Sequence, residues 1–97
     1  MTGTTRSSAD LSERRRRLLF RSWHRGIRET DLVLGRFADA CIGDLSDAEL
    51  DDYERLLEVP DHDLYGWVTG ELDIPAPYRS ALLGKIRSFH VDGASLR

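Results

Sequence analysis

The sequence predicts an all-α protein, a small compact five-helix bundle, and three observations support this fold class. Apolar residues recur at helical spacing in five segments, runs that alternate apolar and polar residues are missing, and glycine or proline lies between the segments. Each predicted helix has about 10 to 15 residues, a length at which an isolated helix is marginal in water. We therefore expect the five helices to pack on one another, with short loops between them.

The first two helices are predicted to meet at Gly26. The first runs over 11–25, and we expect Gly26 to end it as the C′ residue, because glycine adopts a left-handed conformation at little steric cost. Ile27 would then fold back onto the last turn. The second helix is predicted over 29–43. The core residues expected from these two helices are Leu11, Leu18, Leu19, Trp23, Leu34, Phe37, Ala38 and Cys41.

The third helix has the clearest start signal. Ser46 and Glu49 have the spacing of a capping box. Leu45 and Leu50 occupy the two positions of a hydrophobic staple around that cap. We expect the helix to begin directly after the serine and to end at Pro60, since proline cannot continue a helix interior.

Proline and glycine also bound the fourth and fifth helices. Asp61 is predicted to be the N-cap of the fourth helix, and Gly70 is expected to end it. Pro77 is well placed in the first turn of the fifth helix. The core residues expected from the last three helices are Leu50, Tyr53, Leu56, Leu57, Leu64, Trp67, Val68, Tyr78, Leu82, Ile86 and Phe89.

The 97 residues allow one domain. We predict a helical domain over 11–90, a disordered Ser/Thr-rich tail over 1–10 and a C-terminal tail over 91–97. No apolar run is long enough to cross a membrane, and we expect a monomer. The single cysteine, Cys41, allows no internal disulfide and indicates a reducing compartment. Because the arginine run continues into a predicted helix, unlike a presequence, we expect the bacterial cytoplasm rather than the mitochondrial matrix.

The net charge of −3 conceals a segregation of charge along the chain. Residues 1–28 contain eight arginines and two acids, residues 29–73 two arginines and fourteen acids, and residues 74–97 four basic residues and one acid. Two interpretations fit: the molecule has a basic and an acidic face, or opposite segments neutralise each other in the fold. The arginines of 14–17 could also bind phosphates, but the acidic remainder would repel a nucleic acid, so we expect no nucleic-acid partner.

The sequence has no recognisable catalytic or cofactor site. Its glycines form neither G-x-G-x-x-G nor a P-loop, so the chain has no recognisable means of holding FAD, NAD or ATP. Cys41 lies on an apolar stripe, where free cysteine is commonly buried. The other residues that could ligate a metal lie on separate predicted helices without ligand spacing: His24, His62 and His90. We therefore predict that the protein is not an enzyme, with no catalytic residue, no metal and no stably bound cofactor.

The segment "HRGIRETD", residues 24–31, places three cationic side chains and two acids around one glycine. Electrostatics at helix ends explain part of this order. Acids in the first turn of a helix and cations in the last turn are each stabilised by the helix dipole, by about 0.3–1 kcal/mol. The segment also forms a rigid, exposed, charged corner, and such a surface suits recognition of a polar cleft on another protein.

The same segment resembles a known family. "RGIRETD", 25–31, is similar to the RGxxE signature of the SdhE-type succinate dehydrogenase assembly factors. "RLLFRSWHRGIRETDLVLGRF", 17–37, resembles the first two helices of that family, and "LSDAELDDYERLLEVPDHDLYGWVTG", 45–70, resembles its third helix and the turn that follows. These segments cover about half of the chain in the order and spacing of the family.

The resemblance implies a small five-helix assembly factor that promotes covalent attachment of FAD to a client, the flavoprotein subunit of succinate dehydrogenase or, in some bacteria, of fumarate reductase. It places Arg25, Gly26 and Glu29 at the docking surface, with Arg28 at a variable position and Asp31 at a commonly matched one. We therefore predict that these five residues form the partner-binding site. Glu29 would orient a client cation or histidine. Arg25 would either fix the corner or pair with a client carboxylate.

Two other functions stay open at this point. One is a generic protein-binding module such as an antitoxin, because the acidic segment would suit a basic partner. The other is a nucleic-acid binder that uses the basic first helix. Recovery of a large flavoprotein from a lysate would favour the assembly factor, whereas strongly salt-dependent gel shifts would favour the nucleic-acid binder.

Overall fold

The structure is a computed structural model that describes the backbone of residues 11–95 and the side chains of residues 11–91. Within that range the chain forms five α-helices and two short 3₁₀ turns, and it forms no strand. The helices are α1 (Glu13–Trp23), α2 (Arg28–Cys41), α3 (Asp47–Leu56), α4 (Asp61–Thr69) and α5 (Ala81–Ser95); the 3₁₀ turns are Ile42–Asp44 and Ala76–Tyr78. The predicted all-α five-helix fold is confirmed.

Helix α2 lies at the centre of the bundle, where it packs against α1, α4 and α5. The stripes predicted from helical spacing form one core, and all but three of the predicted core residues are buried. The exceptions are only partly buried and pack against that core: Cys41, Tyr78 and Phe89. Burial of apolar area on this scale, at about 25 cal/mol per Å², is the main force that holds such short helices together.

Two close contacts fix how α1 lies on its neighbours. The Trp23 ring lies directly over Gly35 of α2, where an added Cβ would come within 2.3 Å of a ring carbon. The hydroxyl of Tyr53, which is fully buried, forms a hydrogen bond with the hydroxyl of Ser22 and also lies 3.4 Å from the Leu34 carbonyl oxygen. Burial raises the pKa of the Tyr53 hydroxyl, which stays protonated in the core.

The start of α3 agrees with its sequence signal. The Ser46 hydroxyl accepts a hydrogen bond from the Glu49 amide at 3.2 Å, and the Glu49 carboxylate accepts one from the Ser46 amide at 2.9 Å. The capping box therefore satisfies two backbone donors at this helix end. Leu45 and Leu50, the staple residues, are buried.

The predicted boundary between the first two helices is wrong by two residues. Helix α1 ends at Trp23 with His24 as its C-cap, so Gly26 lies two residues beyond that cap and is not the C′ residue. Gly26 does have a positive φ of 119°. Ile27 is the N-cap of α2 and is 42% exposed, so it is not the C″ residue of α1 that the sequence predicted.

Other helix ends also differ from the prediction. Helix α2 ends at Cys41, where the chain tightens into a 3₁₀ turn. Pro60 is the N-cap of α4 and Asp61 is its first residue, because the Asp61 carboxylate bonds elsewhere. Pro77 lies in a separate 3₁₀ turn before α5.

The predicted tails lie mostly outside the part of the chain that the structure describes. This holds for the whole of 1–10 and for residues 96–97. Helix α5 continues to Ser95, so the backbone of 91–95 is helical. The division into a domain over 11–90 and two tails stays a prediction. Across residues 11–95, no helix is both long enough and apolar enough to span a bilayer.

Candidate partner-binding site

The corner between α1 and α2 is a four-residue connection, 24–27, between two helices that pack against each other. Its backbone passes through Gly26 at a φ of 119°, a region that residues with a Cβ rarely adopt. Lack of space for a side chain is not the reason for a glycine at this position. Among the described residues, an added Cβ would find only Asp61 Oδ2, 4.0 Å away. The glycine is therefore required by backbone conformation and not by crowding.

The side chain of Arg25 turns inward from this corner. It is only 9% exposed, and its Nε donates to Asp61 Oδ1 at 2.9 Å. Its two terminal nitrogens donate to the carbonyl oxygens of Leu57 and Val59. One guanidinium therefore ties the α1–α2 corner to the connection between α3 and α4.

Polar side chains of α2 complete this anchoring. The Arg25 backbone amide donates to Asp31 Oδ1 at 2.7 Å. The Thr30 hydroxyl lies 3.1 Å from Asp61 Oδ1 and 3.2 Å from the Ile27 carbonyl oxygen. These contacts join the first turn of α2 to the first residue of α4, so the corner has a fixed position on the bundle. We call the set of Arg25, Thr30, Asp31 and Asp61 the corner anchor.

Arg28 and Glu29 differ from the corner anchor in that both are exposed. They occupy the first two positions of α2, and within 11–91 neither side chain forms a hydrogen bond or an ion pair. A cation and an anion therefore lie side by side on a rigid helix end, with their hydrogen-bonding groups available. This is the arrangement that can fix the orientation of a charged partner surface.

The structure separates the five predicted site residues into two groups. Gly26, Arg28 and Glu29 are exposed at the corner, as expected. Arg25 and Asp31 instead belong to the corner anchor. Of the two roles considered for Arg25, its inward contacts favour fixing the corner over pairing with a client carboxylate. Partner binding by the five residues as a set stays a prediction.

Sequence reasoning missed Thr30 and Asp61. Asp61 directly follows a proline at the start of a helix, which explained it as a cap and gave no reason to look for a distant partner. The pairing with Arg25 spans 36 residues of sequence, and no local spacing indicates it. Only the packing of α4 against α2 brings the two side chains together.

The arginines of α1 bond mainly within the protein. Arg14 forms ion pairs with Asp51 at 2.6 Å and Glu54 at 2.9 Å, and these contacts raise the pKa of the guanidinium. Arg15 donates to two carbonyl oxygens around the 3₁₀ turn after α2. Arg21 pairs with an acid that follows α3. Opposite segments of the chain thus neutralise each other, which argues against a basic face for binding nucleic acid.

The described residues offer little for metal or thiol chemistry. No cluster of three or more His, Cys, Asp or Glu side chains within 11–91 could hold a metal ion. Burial raises the pKa of the Cys41 thiol, and the Asp44 carboxylate raises it further. That environment disfavours the thiolate, the reactive form of cysteine.

Comparison with known proteins finds relatives whose names all describe assembly factors or flavinators. A family model described as flavinator of succinate dehydrogenase matches residues 16–90. The succinate dehydrogenase assembly factor 2, mitochondrial, of Scheffersomyces stipitis is 44% identical over 73 residues, which are 74% of this chain and 49% of that protein. The same-named protein of Meyerozyma guilliermondii is 44% identical over 79 residues, 80% of this chain and 55% of that protein. The FAD assembly factor SdhE of Acetobacter pasteurianus is 40% identical over 77 residues, 79% of this chain and 71% of that protein.

The chain spans about half the length of the first two of these relatives. No solved structure gives a significant match. The comparisons contradict the predicted cytoplasmic location, because the relatives from both yeasts, and those from Debaryomyces hansenii and Yarrowia lipolytica, are named as mitochondrial proteins.

The family model covers part of α1, all of α2, α3 and α4, and most of α5, including the whole corner and its anchor. The resemblance that the RGxxE segment indicated is thereby confirmed. The chain belongs to the family of succinate dehydrogenase flavinators.

Proposed function

We propose that this protein is a chaperone-like assembly factor that binds the flavoprotein subunit of succinate dehydrogenase and promotes covalent attachment of FAD to it. The family match over residues 16–90 is the observation that carries this proposal. The names of the relatives agree, since they describe assembly of succinate dehydrogenase and of FAD. The structure adds a candidate docking surface, the exposed corner that ends in Arg28 and Glu29.

In this proposal the protein contributes binding and leaves the bond-forming chemistry to the cofactor and the client. A binder shifts an equilibrium between client conformations only by its differential affinity, about 1.4 kcal/mol for each tenfold change in population. The protein would therefore bind the client conformation in which the flavin and its acceptor residue are aligned. A rigid docking surface suits this task, because little binding energy is lost in ordering it.

The exposed and anchored residues have different roles in this mechanism. Glu29 and Arg28 contact the client, where each pairs with a group of opposite charge. Arg25 and Asp61 hold the corner at a fixed position on the bundle. Gly26 allows the backbone to turn there. An antitoxin or nucleic-acid binder has no comparable support in the described contacts.

The experiment is co-expression with the client flavoprotein in cells that lack their own factor. Covalent flavin is then measured by in-gel fluorescence of the denatured client. Glu29→Ala should lower covalent flavin strongly while the helical circular dichroism spectrum is unchanged, because the side chain forms no hydrogen bond or ion pair within 11–91. Glu71→Ala, which removes an exposed acid after α4, should retain full flavinylation.

Two results would count against the proposal. If the client carries the same amount of covalent flavin with and without the protein, the proposed function is wrong. If Glu29→Ala supports full flavinylation and client binding, the corner carboxylate has no role in docking, although the function itself could stand.

A further inference from the structure

An aromatic side chain lies exposed beside the charged corner. Phe20, in the last turn of α1, is 63% exposed. Its ring stacks on the ring of His24 with a centroid distance of 3.8 Å and an interplanar angle of 15°. Nδ1 of His24 lies 2.6 Å from the Phe20 carbonyl oxygen. The phenyl ring is therefore held in one orientation although most of it faces solvent.

Further exposed residues follow this ring along the chain, up to the charged residues of the corner. His24, Gly26, Ile27, Arg28 and Glu29 are all exposed, and only the side chain of the intervening arginine turns inward. We call Phe20, His24, Ile27, Arg28 and Glu29 the corner surface. It combines one aromatic stack, one aliphatic side chain and one pair of opposite charges.

Exposed apolar side chains are concentrated here. The described residues include four large apolar side chains that are exposed, and two of them, Phe20 and Ile27, belong to the corner surface. Isolated exposed apolar residues need no explanation, but a cluster beside unpaired charges is typical of a protein interface. Charge pairs at the edge of an interface set orientation and association rate, whereas buried aromatic side chains supply most of the affinity.

We propose that Phe20, supported by His24 and flanked by Ile27, is the apolar anchor through which the corner surface docks on the flavoprotein subunit. The proposal rests on the function proposed above and identifies the partner surface that would fit. That surface has an apolar pocket for the phenyl ring. A cation lies beside the pocket opposite Glu29, and an acid lies opposite Arg28. The aromatic stack lowers the entropy lost on docking, because the ring is already ordered before the client binds.

The test is the dissociation constant of the purified full-length protein for the purified flavoprotein subunit. Phe20→Ala should weaken binding by about tenfold or more, as truncation of a central aromatic residue does. Val91→Ala removes an exposed apolar side chain on α5 and should change binding by less than about twofold. Thermal unfolding of both variants should match that of the wild-type protein.

Salt separates the apolar contribution from the charged one. The loss caused by Phe20→Ala should be the same at low and high ionic strength, whereas the loss caused by Arg28→Ala should shrink as salt rises. If Phe20→Ala binds the flavoprotein as tightly as the wild-type protein does, while Glu29→Ala still binds weakly, the role of Phe20 as an anchor is wrong and the proposed function stands. A wild-type protein that does not bind the flavoprotein at all would overturn both.

Two results that indicate a different partner for Phe20 would also contradict the inference. If Phe20→Ala changes the molecular mass measured by light scattering and leaves client binding intact, the ring contacts a second copy of this chain. If the variant loses binding only to anionic lipid vesicles, the ring contacts a membrane surface.

Discussion

The guanidinium of Arg25 could act at the surface or inside the protein, and its contacts decide between the two. Three of its nitrogens donate inward, to Asp61 Oδ1 and to the carbonyl oxygens of Leu57 and Val59. The guanidinium group is planar and its N–H donors have fixed directions, so it can bind three acceptors at once. A lysine ammonium on a flexible side chain cannot place its donors in the same positions. The signature arginine is therefore a positioning residue, and the exposed residues on either side of it form the corner surface.

Asp61→Asn tests the corner anchor at the scale of a single residue. Asparagine keeps the shape of the side chain and removes its charge, so the nearly buried Arg25 loses its ionic partner. We expect the free energy of unfolding, measured by urea denaturation, to fall by about 1–3 kcal/mol, since hydrogen bonds to charged groups have this magnitude.

The matched control is Glu58→Gln, which removes the acid from the exposed pair with Arg21. Exposed ion pairs contribute little, so we expect a change of about 0.5 kcal/mol or less. Equal effects of the two substitutions would show that the anchor is no stronger than a surface pair.

Helices α1 and α2 depend on each other because one glycine lets them approach closely. In isolation Gly35 weakens α2, since glycine is less favourable than alanine in a helix interior by about 1 kcal/mol. The cost is offset by the Trp23 ring, which fills the space where a Cβ would lie. The sequence alone does not indicate that the lower helix propensity of Gly35 is compensated by packing against Trp23.

Gly35→Ala reverses the usual effect of a glycine-to-alanine change in a helix. The added Cβ would lie 2.3 Å from the indole, so the ring or the helix must shift. Overpacking of this kind destabilises by about 1–3 kcal/mol, more than the gain in helix propensity, so urea denaturation should show a lower free energy of unfolding.

Gly84→Ala in α5 is the control, because an added Cβ there meets no atom within 4 Å. That change should stabilise the protein by up to about 1 kcal/mol. Stabilisation by both changes would contradict the packing argument.

The elements that could be predicted from sequence are those whose signals are local. Apolar spacing identified all five helices, and the Ser46–Glu49 cap located the start of α3 correctly. The corner was predicted as exposed and charged, which holds for Arg28 and Glu29. The inward turn of Arg25 could not be predicted, because its partner lies 36 residues away and is brought close only by packing.

Across the whole molecule, segregated charge serves to join the helices. Basic α1 packs beside acidic α3, with Arg14 paired to Asp51 and Glu54. Lys85 of α5 pairs with Glu49 at the other side of α3. Of the two interpretations of the charge pattern, mutual neutralisation is the one that these contacts favour. Such pairing leaves the opposite charges of the corner surface as a local feature on a largely self-neutralised protein.

This charge pairing predicts how stability depends on pH. The Arg14 hydrogen bond lowers the pKa of Glu54, and the Lys85 hydrogen bond lowers that of Glu49, from an ordinary value of 4.5. Carboxyl groups with a lower pKa in the folded state stabilise it above the ordinary pKa, and this contribution is lost as pH falls through the folded value. The melting temperature should therefore stay level down to about pH 5 and fall below about pH 4.5. Glu54→Gln should make that acid slope shallower, because it removes a carboxyl group whose pKa is lowered in the folded protein. Identical acid slopes for the wild-type protein and Glu54→Gln would show that the pairing between α1 and α3 adds no stability at neutral pH.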